Sequence, residues 1–283
     1  MLGIMLALVS SLGYGCADFA GGLASRGAHV LRVAAIGAPA GLAVQLLLLP
    51  VAGGHWSGAA VGWGVASGLA SSVSIALLNQ SLAIGPMSVV SPVTAVVSAL
   101  LPVTAGVLAG ERLTAAGIVG IALALAAVIA ISTGGAEGQT GRPAPRALVM
   151  ATGAGLAIGA QLVCLHQSPA DSGIVPILVG RVVSAVILLT AFVLYRTART
   201  SGPPAGRGSL GLAFGGGALD TLANVAFLLA SRHGALAVLA VIVALYPGGT
   251  VLLARATFGE RLTRAQAAGL AGGAVAVALL ALA

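Results

Sequence analysis

The stretch Gly110-Glu111-Arg112-Leu113-Thr114 recurs as Gly259-Glu260-Arg261-Leu262-Thr263, 149 residues later in the chain. Two of the three glutamates in the protein lie inside these two copies. The same offset also matches residues outside the repeated stretch: it pairs Arg32 with Arg181, Gly85 with Gly234, Val89 with Val238, and Gly120 with Gly269. One gap-free offset across so much of the chain indicates that a single unit has been duplicated.

The composition is that of a membrane protein. Soluble domains carry roughly 25% charged residues, whereas this chain has 7% charged and 59% hydrophobic residues and a mean hydropathy of +1.10. Because a helix needs about 20 apolar residues to cross a bilayer, the breaks in the sequence predict ten membrane helices. The apolar stretches do not alternate as the strands of a membrane barrel do, so we expect an all-α fold. The approximate bounds of the ten helices are 2–24, 33–52, 58–83, 86–109, 113–133, 147–168, 174–195, 209–231, 235–254 and 263–283.

Residues 134–146 (GGAEGQTGRPAPR) divide the chain into two halves. This polar, Gly/Pro-rich stretch is typical of a linker, so residues 1–133 and 147–283 should be the two repeat units, each with five membrane helices. Because five is odd, the second unit must enter the membrane from the opposite side, which makes the repeats inverted. Inverted repeats place a substrate site near the midplane, between the halves.

Arginine carries all of the formal positive side-chain charge, because the chain contains no lysine, and the net charge is +7. The arginines lie mainly between apolar spans, so a membrane surface explains them better than a nucleic acid does. Loops after odd-numbered spans hold ten arginines and loops after even-numbered spans hold two, Arg112 and Arg232, while Arg181 lies inside the seventh span. Without Arg181 and its counterpart Arg32 the count is nine to two, which predicts cytoplasmic odd loops and both termini outside.

Three stretches of the chain are similar to those of one known family. They are Gly85–Pro92 (GPMSVVSP) ahead of Gly110–Thr114, a looser copy at Gly234–Val238 (GALAV) ahead of Gly259–Thr263, and Tyr14–Phe19 (YGCADF) in the first span. In these stretches the chain resembles the EamA repeat of the drug/metabolite transporter superfamily. The resemblance implies ten helices in two inverted five-helix repeats and transport, often outward, of small metabolites or drugs. It also implies that both termini lie in the cytoplasm, which is opposite to the arginine count.

Two carboxylates, Asp18 and Asp220, lie within the predicted membrane helices. A charge at the centre of such a helix costs roughly 2.5–3.5 kcal/mol on insertion scales, so its default interpretation is functional. Asn224 lies one turn beyond Asp220 on the same face, and this pair is suited to bind a substrate amine or to take up a proton. The alternative for Asp220 is a hydrogen bond that helps helices to associate. Tyr14 lies one turn before Asp18, for which we favour a structural ion pair with an arginine such as Arg32.

The third span supplies further candidates for a substrate cavity. Ser71 corresponds to Asp220 under the repeat offset, so the two should lie at equivalent depth, and Asn79 follows Ser71 in the same span. The alternative for serines in membrane helices is a hydrogen bond that supports helix packing. Glycine pairs with small-xxx-small spacing predict close helix contacts at Gly58/Gly62, Gly64/Gly68 and Gly211/Gly215.

Prolines lie within two corresponding spans. Tyr246-Pro247-Gly248-Gly249 is near the middle of the ninth span, and the fourth span carries Pro92 and Pro102. Interrupted helices in corresponding halves point to a binding site, because the freed carbonyls must face protein or a wet cavity. We therefore expect Pro92, Pro102 and Pro247 to mark helix breaks or gating elements, and Tyr246 to line a cavity. The alternative is a kink that serves packing.

We expect the two Gly-Glu-Arg-Leu-Thr stretches to act at helix boundaries as structural or gating elements. Thr114 or Thr263 would cap the helix that follows, while the glutamate and arginine would lie at the membrane surface.

These features predict a multi-pass secondary transporter of the inner or plasma membrane. We expect it to export a small metabolite, amino acid or drug by alternating access, with protons as the candidate coupling ion. The partners are the small-molecule substrate and the lipid bilayer, and we expect no nucleic acid, cofactor or metal; the oligomeric state is left open. A Walker-type ATPase is excluded because that motif needs a lysine.

The alternatives differ in class. A lipid-linked sugar flippase or a multidrug pump would need a wider or lipid-open cavity. A membrane-embedded enzyme would need clustered His, Asp or Glu side chains or a nucleophile beside its base, and the sequence shows neither. A passive scaffold would bury its polar residues in packed interfaces without a central cavity.

Overall fold

A computed structural model of the chain describes residues 1–27, 30–84, 87–133, 144–198, 206–258 and 262–282. Over these residues the secondary structure is helical, with a single 3-10 turn at Ala170–Ser172 and no strands. The eleven α-helices are α1 (Leu2–Gly27), α2 (Val30–Ala52), α3 (Gly58–Ile84), α4 (Met87–Leu108), α5 (Ala115–Thr133), α6 (Pro145–Gln167), α7 (Val175–Ala198), α8 (Arg207–Ser231), α9 (Leu236–Val243), α10 (Pro247–Phe258) and α11 (Arg264–Ala281).

These helices provide ten segments that are long and apolar enough to cross a membrane. Nine spans are single helices, and α9 and α10 together form the ninth, Leu236–Thr257. The predicted all-α membrane fold is confirmed. The sixth span begins at Pro145 and therefore includes the last two residues assigned to the linker, because proline fits the first turn of a helix without loss of a hydrogen bond. Residues 134–143 of that linker lie outside the described part of the chain.

Helices pack mainly against helices of the other half of the chain. In the first half, α1 packs on α8 and α2 packs on α7 and α8; in the second half, α6 packs on α3 and α4, and α11 packs on α5. Under the 149-residue offset, α1 corresponds to α6, α2 to α7, α3 to α8, and α5 to α11. Exchanging counterparts turns the α1–α8 contact into α6–α3 and the α2–α8 contact into α7–α3, and both of these are present. This reciprocity fits two halves related by an approximate two-fold axis, and it puts the interface between the halves at the centre of the molecule.

The core of the molecule is built around α9. Seven of its eight residues are buried, and large apolar side chains such as Leu239 and Ile242 lie in the main hydrophobic cluster. A helix that is apolar on every side belongs in a fully surrounded position. The second half therefore inserts one short, continuously buried helix between its neighbours.

Glycines allow two of the helix crossings, α3 with α7 and α2 with α8, to be close. A Cβ on Gly64 would come within 2.7 Å of the Pro176 carbonyl oxygen in α7, and one on Gly68 would collide with Gly180. The predicted contact at Gly64/Gly68 is thus confirmed. The pairs Gly58/Gly62 and Gly211/Gly215 face open space, with no described atom within 4 Å of an added Cβ. Another close crossing, which was not predicted from the sequence, brings Gly217 in α8 against the backbone of Gly37 in α2.

The two proline-containing spans behave differently. The fourth span does not break: α4 is continuous from Met87 to Leu108 through both Pro92 and Pro102. Close packing supports it, because a Cβ on Gly159 of α6 would lie 3.0 Å from the Ser98 carbonyl oxygen, which Pro102 leaves without its usual donor, and 3.1 Å from Pro102 Cδ. Neighbouring helices can hold a proline-containing membrane helix in one piece, so the expected break at Pro92 and Pro102 was wrong.

The ninth span does break, at residues 244–246 directly before Pro247. Leu245 N donates to Ile242 O at 3.2 Å and Tyr246 N donates to Val243 O at 3.0 Å, so the turn has the tighter 3-10 pattern. Gly248 and Gly249 follow Pro247 immediately, and glycine lowers the local preference for helix. The break predicted at Pro247 is confirmed.

Threonine caps begin the helices that follow the repeated stretches. Thr114 Oγ1 accepts a hydrogen bond from Gly117 N at 3.1 Å at the start of α5. Thr263 forms a reciprocal capping box with Gln266 at the start of α11, with distances of 3.2 and 3.0 Å. Both predicted caps are confirmed. Residues 259–261 of the second repeated stretch lie outside the described residues.

Candidate functional site: a polar cluster at mid-membrane depth

An ion pair lies at the middle of the helix bundle. Asp220 is in the centre of α8, and its carboxylate accepts a hydrogen bond from the guanidinium of Arg181, which comes from α7. The Arg181 side chain is 9% exposed and the Asp220 side chain is 36% exposed. Because each charge would be costly alone at this depth, the two side chains provide each other's counter-charge.

Two amide side chains extend this pair into a network. Asn224 Nδ2 donates to the Asp220 backbone oxygen at 2.8 Å and also lies 3.4 Å from Asp220 Oδ2. Gln161 Nε2 from α6 donates to Asn224 Oδ1 at 2.9 Å. The predicted pairing of Asp220 and Asn224 on one face of the eighth span is therefore present, and three helices of the second half are tied together at this depth.

A narrow pocket opens beside this network, with room for roughly one water molecule. The first half of the chain contributes Ser71 from α3, and the second half contributes Arg181 from α7 and Asn224 from α8. Ser71 and Asp220 are counterparts under the repeat offset. Arg181 lines the pocket together with Ser71 and also donates to Asp220, so the two counterparts lie at a similar depth. The full lining is Ser67, Gly68, Ser71, Gln161, Ile177, Gly180, Arg181, Ser184 and Asn224.

Helix α1 brings Tyr14 and Asp18 to the same depth. It runs antiparallel to α8: Ser10 Oγ donates to Ala223 O at 2.8 Å, and a Cβ on Gly216 would lie 3.3 Å from Ala17 O. Tyr14 lies between these two contacts, level with Asp220, and Asp18 lies one turn further along α1; both are close enough for their charges and dipoles to interact with Asp220.

Asp18 has no partner of opposite charge in the described part of the chain. The expected ion pair with an arginine such as Arg32 is absent from these residues. Asp18 is an exposed residue, yet it lies within electrostatic range of Asp220 and of Tyr246, which are in the interior of the bundle.

The break in the ninth span rests on α1 beside these groups. A Cβ on Gly15 would come within 2.6 Å of the Tyr246 carbonyl oxygen, and Thr250 Oγ1 donates to Gly15 O at 3.2 Å. Tyr246 is half-buried and lies within electrostatic range of Asp18. The structure therefore brings together Tyr14, Asp18, Ser71, Asp220, Asn224 and Tyr246, which are six of the seven cavity candidates chosen from the sequence.

The seventh candidate, Asn79, lies elsewhere along α3. Its backbone is about 12 Å beyond Ser71, because a helix rises 1.5 Å per residue, and its side chain lies outside the described ones. Pro92 and Pro102 are buried within α4 and do not line the pocket. Among the described residues no group of three or more His, Cys, Asp and Glu side chains could hold a metal ion.

Arg181 was not predicted from the sequence to be a member of the site. Its position suggested a charge at the head of a span, whereas an arginine one-third of the way along α7 requires a partner just as an aspartate does. Two opposite charges inside two spans would have been a sufficient signal for the pair. Gln45 in α2 was also missed; its side chain is fully buried, and neither of its amide atoms has a hydrogen-bond partner in the described structure.

Comparisons with known proteins agree with this architecture. Residues 1–133 match the model of the EamA-like transporter family. A solved crystal structure has a TM-score of 0.80 against this chain at 18% sequence identity, and the match covers 99% of this chain and 96% of the other. No curated protein matches the chain. At this identity the solved structure shows the shared fold alone. The family match covers residues 1–133, where the resemblance was strongest, so the first half of the chain is similar to the EamA-like transporter family, which belongs to the drug/metabolite transporter superfamily. The ten membrane spans fit a membrane transporter of this kind.

Proposed function

We propose that the protein is a secondary transporter that exports a small metabolite, amino acid or drug by alternating access around the central polar cluster. The observation that carries this proposal is the network of Arg181, Asp220, Asn224 and Gln161 beside Ser71. Ionisable groups inside a membrane are costly, and those that a protein contains there commonly mark a substrate or ion pathway. Here they lie at the interface of residues 1–133 and 147–283, which we take as inverted EamA repeats joined by residues 134–146, in the inner or plasma membrane.

The two carboxylates have different roles in this proposal. Asp220 is already occupied, since Arg181 and Asn224 both donate to it. Asp18 has no counter-ion in the described structure, and it is exposed within electrostatic range of Tyr14 and Tyr246. With one arginine and two aspartates at this depth, the cluster carries one uncompensated negative charge. Asp18, rather than Asp220, is therefore the site for the exchangeable cation, either a coupling proton or a substrate amine.

Transport in proteoliposomes tests this assignment. A panel of amino acids and amphipathic amines is screened with an imposed pH gradient, comparing the wild-type protein with Asp18→Asn and Asp220→Asn. We expect Asp18→Asn to remove the response to the pH gradient and to retain substrate exchange at equal pH. If pH-gradient-driven transport persists with both aspartates replaced, proton coupling at this cluster is wrong. If the wild-type protein moves none of the panel, the proposed substrate classes are wrong.

The polar lining of the pocket is the reason for ranking a flippase or multidrug pump second. Six of its nine lining residues carry hydroxyl, amide or guanidinium groups, and the other three are Gly68, Gly180 and Ile177. A lipid-linked substrate would need a laterally open, apolar path for its tail. A flippase would be favoured over a metabolite exporter if fluorescent lipid analogues, rather than water-soluble compounds, competed for transport.

A further inference from the structure

We propose that Glu111 and α9 form a releasable latch that closes one face of the transporter and links this closure to the central site. The inference rests on the proposed alternating access. We call this face the even face; it contains the loops at residues 53–57, 109–114, 168–174 and 232–235. The latch is the pair of hydrogen bonds between the Glu111 carboxylate and the first backbone amides of α9.

The first repeated stretch places Glu111 for this contact. Gly110 ends α4 with a positive φ of 94°, Gly110 N donates to Val107 O at 3.0 Å, and Glu111 N donates to Gly106 O at 3.0 Å. This is a Schellman ending, which favours glycine at the left-handed position and turns the next residue away from the helix axis. Leu113 then packs against the main hydrophobic cluster, and Thr114 caps α5. Every member of the stretch except the exposed Arg112 has a defined contact.

The Glu111 carboxylate accepts hydrogen bonds from the first backbone amides of α9, a helix in the other half of the chain. Leu236 N donates to Oε1 at 2.6 Å and Ala237 N donates to Oε2 at 3.0 Å. The first amides of a helix have no partner within the helix, and the helix dipole favours a negative charge there. The chain N-terminal to α9 provides no side-chain cap of its own. The acceptor therefore comes from the first half of the molecule, through a bond that must break if the halves separate on this face.

Gly106 shapes the path of the carboxylate. A Cβ at this position would collide with the Glu111 side chain, at atoms Oε2 and Cδ. An alanine here would move the carboxylate without changing any charge, which provides a second, independent way to disturb the latch.

Other hydrogen bonds on the even face hold the helix ends of the second half together around α9. The Arg232 guanidinium donates to Ser168 O at 2.5 Å, to Ser168 Oγ at 2.8 Å and to Pro169 O at 3.0 Å, which fastens the end of α8 to the end of α6. Partial burial lowers the pKa of the Arg232 guanidinium, and the nearby Asp171 carboxylate opposes that shift. His166 lies within electrostatic range of both Glu111 and Arg232. These fastenings join helices of the second half, whereas Glu111 reaches across from the first half.

The length of α9 provides the link to the central site. Its eight residues span about 12 Å, and its far end is the Tyr246 turn that rests on Gly15 of α1. Tyr14 and Asp18 lie on either side of Gly15 along the same helix. A substrate or proton that moves the Tyr246 turn therefore moves a short, rigid helix whose other end is held by Glu111. When this face opens, water can solvate both the carboxylate and the amides, so the latch is reversible.

Accessibility of the pocket from the even face tests the latch. The reporter is Ser71→Cys in a background with Cys16→Ser and Cys164→Ser, labelled with a membrane-impermeant maleimide. His55→Cys, at an exposed position of the even face, establishes which side of a vesicle is labelled. We expect Glu111→Ala and Gly106→Ala to raise the labelling rate from the even face by roughly tenfold, equivalent to about 1.4 kcal/mol. Glu111→Gln, which keeps an acceptor but loses the charge, should raise it less.

Arg112→Ala is the matched control, because it removes a charge from the same loop at an exposed position and leaves the latch intact. It should label at the wild-type rate. The latch is wrong if Glu111→Ala and Gly106→Ala, both eluting as folded protein, label at the wild-type rate. If either variant fails to fold, the other together with Glu111→Gln decides. Because labelling needs no transport, a failure of the latch is distinguishable from a failure of the transport proposal, in which substrate movement itself is absent.

Discussion

Arg181 and Asp220 compensate each other's charge at the centre of the bundle, and this pairing has a structural role as well as a functional one. Arg181 is more deeply buried than its partner, and its Nε lies 3.2 Å from the position of a Cβ on Gly41, so the space around it is closed on the α2 side. Replacement of one partner leaves the charge of the other uncompensated, whereas replacement of both removes both charges and costs only their hydrogen bonds. The asymmetry gives a clear expectation for single and double substitutions.

Arg181→Gln and Asp220→Asn should each lower stability by about 1–3 kcal/mol, the cost of a buried group left without its partner. The double variant should be less destabilised than the sum of the two, because the amides can bond to each other. Thermal unfolding in detergent, measured for all four proteins, gives the coupling energy. Additive losses would show that the two side chains do not stabilise each other.

How much of this residue-scale picture the sequence could predict depends on the type of residue. Asp18, Asp220 and Tyr246 were found because carboxylates and aromatic residues near a break are rare in an apolar chain. Arg181 was not, because an arginine near a predicted span end has an ordinary explanation at the membrane surface, and only packing shows its depth. Which carboxylate had a counter-ion was also beyond the sequence, since that depends on the crossing of α7 and α8.

At the scale of elements, helix crossings depend on a few backbone contacts between glycines. The crossing of α2 and α8 brings Gly217 against the backbone of Gly37, so a side chain at Gly217 has no room. Gly215 lies in the same helix and faces open space in the described structure. The chain has 42 glycines, and their spacing alone could not distinguish these two cases. Spacing shows which glycines lie on the same face of a helix, but not whether another helix packs against that face.

Gly217→Ala should therefore destabilise the protein by about 1–3 kcal/mol, the usual cost of forcing volume into a packed interface. Gly215→Ala is the matched control, and it should be neutral or should gain about 0.5–1 kcal/mol from better helix propensity. Melting temperatures in the same detergent measure both. Equal melting temperatures for the two variants would contradict the close approach of α2 and α8.

The broken ninth span makes a second prediction at this scale. Alanine in place of Pro247 restores an amide that can donate to the Val243 carbonyl, so the helix can continue through the turn that carries Tyr246. We expect Pro247→Ala to slow transport several-fold, roughly as a disturbed hinge does, with little change in melting temperature. Pro102→Ala, in the continuous helix α4, should leave transport near the wild-type rate. Similar losses in both variants would show that proline content, and not the break, matters.

Prediction of elements from the sequence was accurate for the spans and the threonine caps, since both depend on local composition. The difference between α4 and the ninth span could not be predicted from prolines alone. Both spans contain proline, and in both a glycine of a neighbouring helix packs against the proline turn, Gly159 against that of α4 and Gly15 against that of the ninth span. Only the ninth span has two glycines, Gly248 and Gly249, directly after its proline.

At the scale of the whole molecule, the reciprocal helix contacts fit halves that cross the membrane in opposite directions. Such halves place the loop after the second helix of each repeat on opposite faces. In the first half this loop contains His55, and in the second half it contains Gly206; both residues are exposed. The arginine count predicts the His55 face outside the cytoplasm, whereas the family resemblance predicts it inside, so one measurement addresses both the inversion and the orientation.

We expect single cysteines at His55 and Gly206, in a background without Cys16 and Cys164, to react with an impermeant maleimide from opposite sides of the membrane. His233→Cys, in the exposed loop before α9, should react from the same side as His55→Cys, because both loops follow even-numbered spans. Intact cells and inverted vesicles distinguish the two sides. Labelling of His55→Cys in intact cells would support the arginine count, and labelling only in inverted vesicles would support cytoplasmic termini. Reaction of His55→Cys and Gly206→Cys from the same side would contradict the inverted repeat itself, because inverted halves place corresponding loops on opposite sides of the membrane.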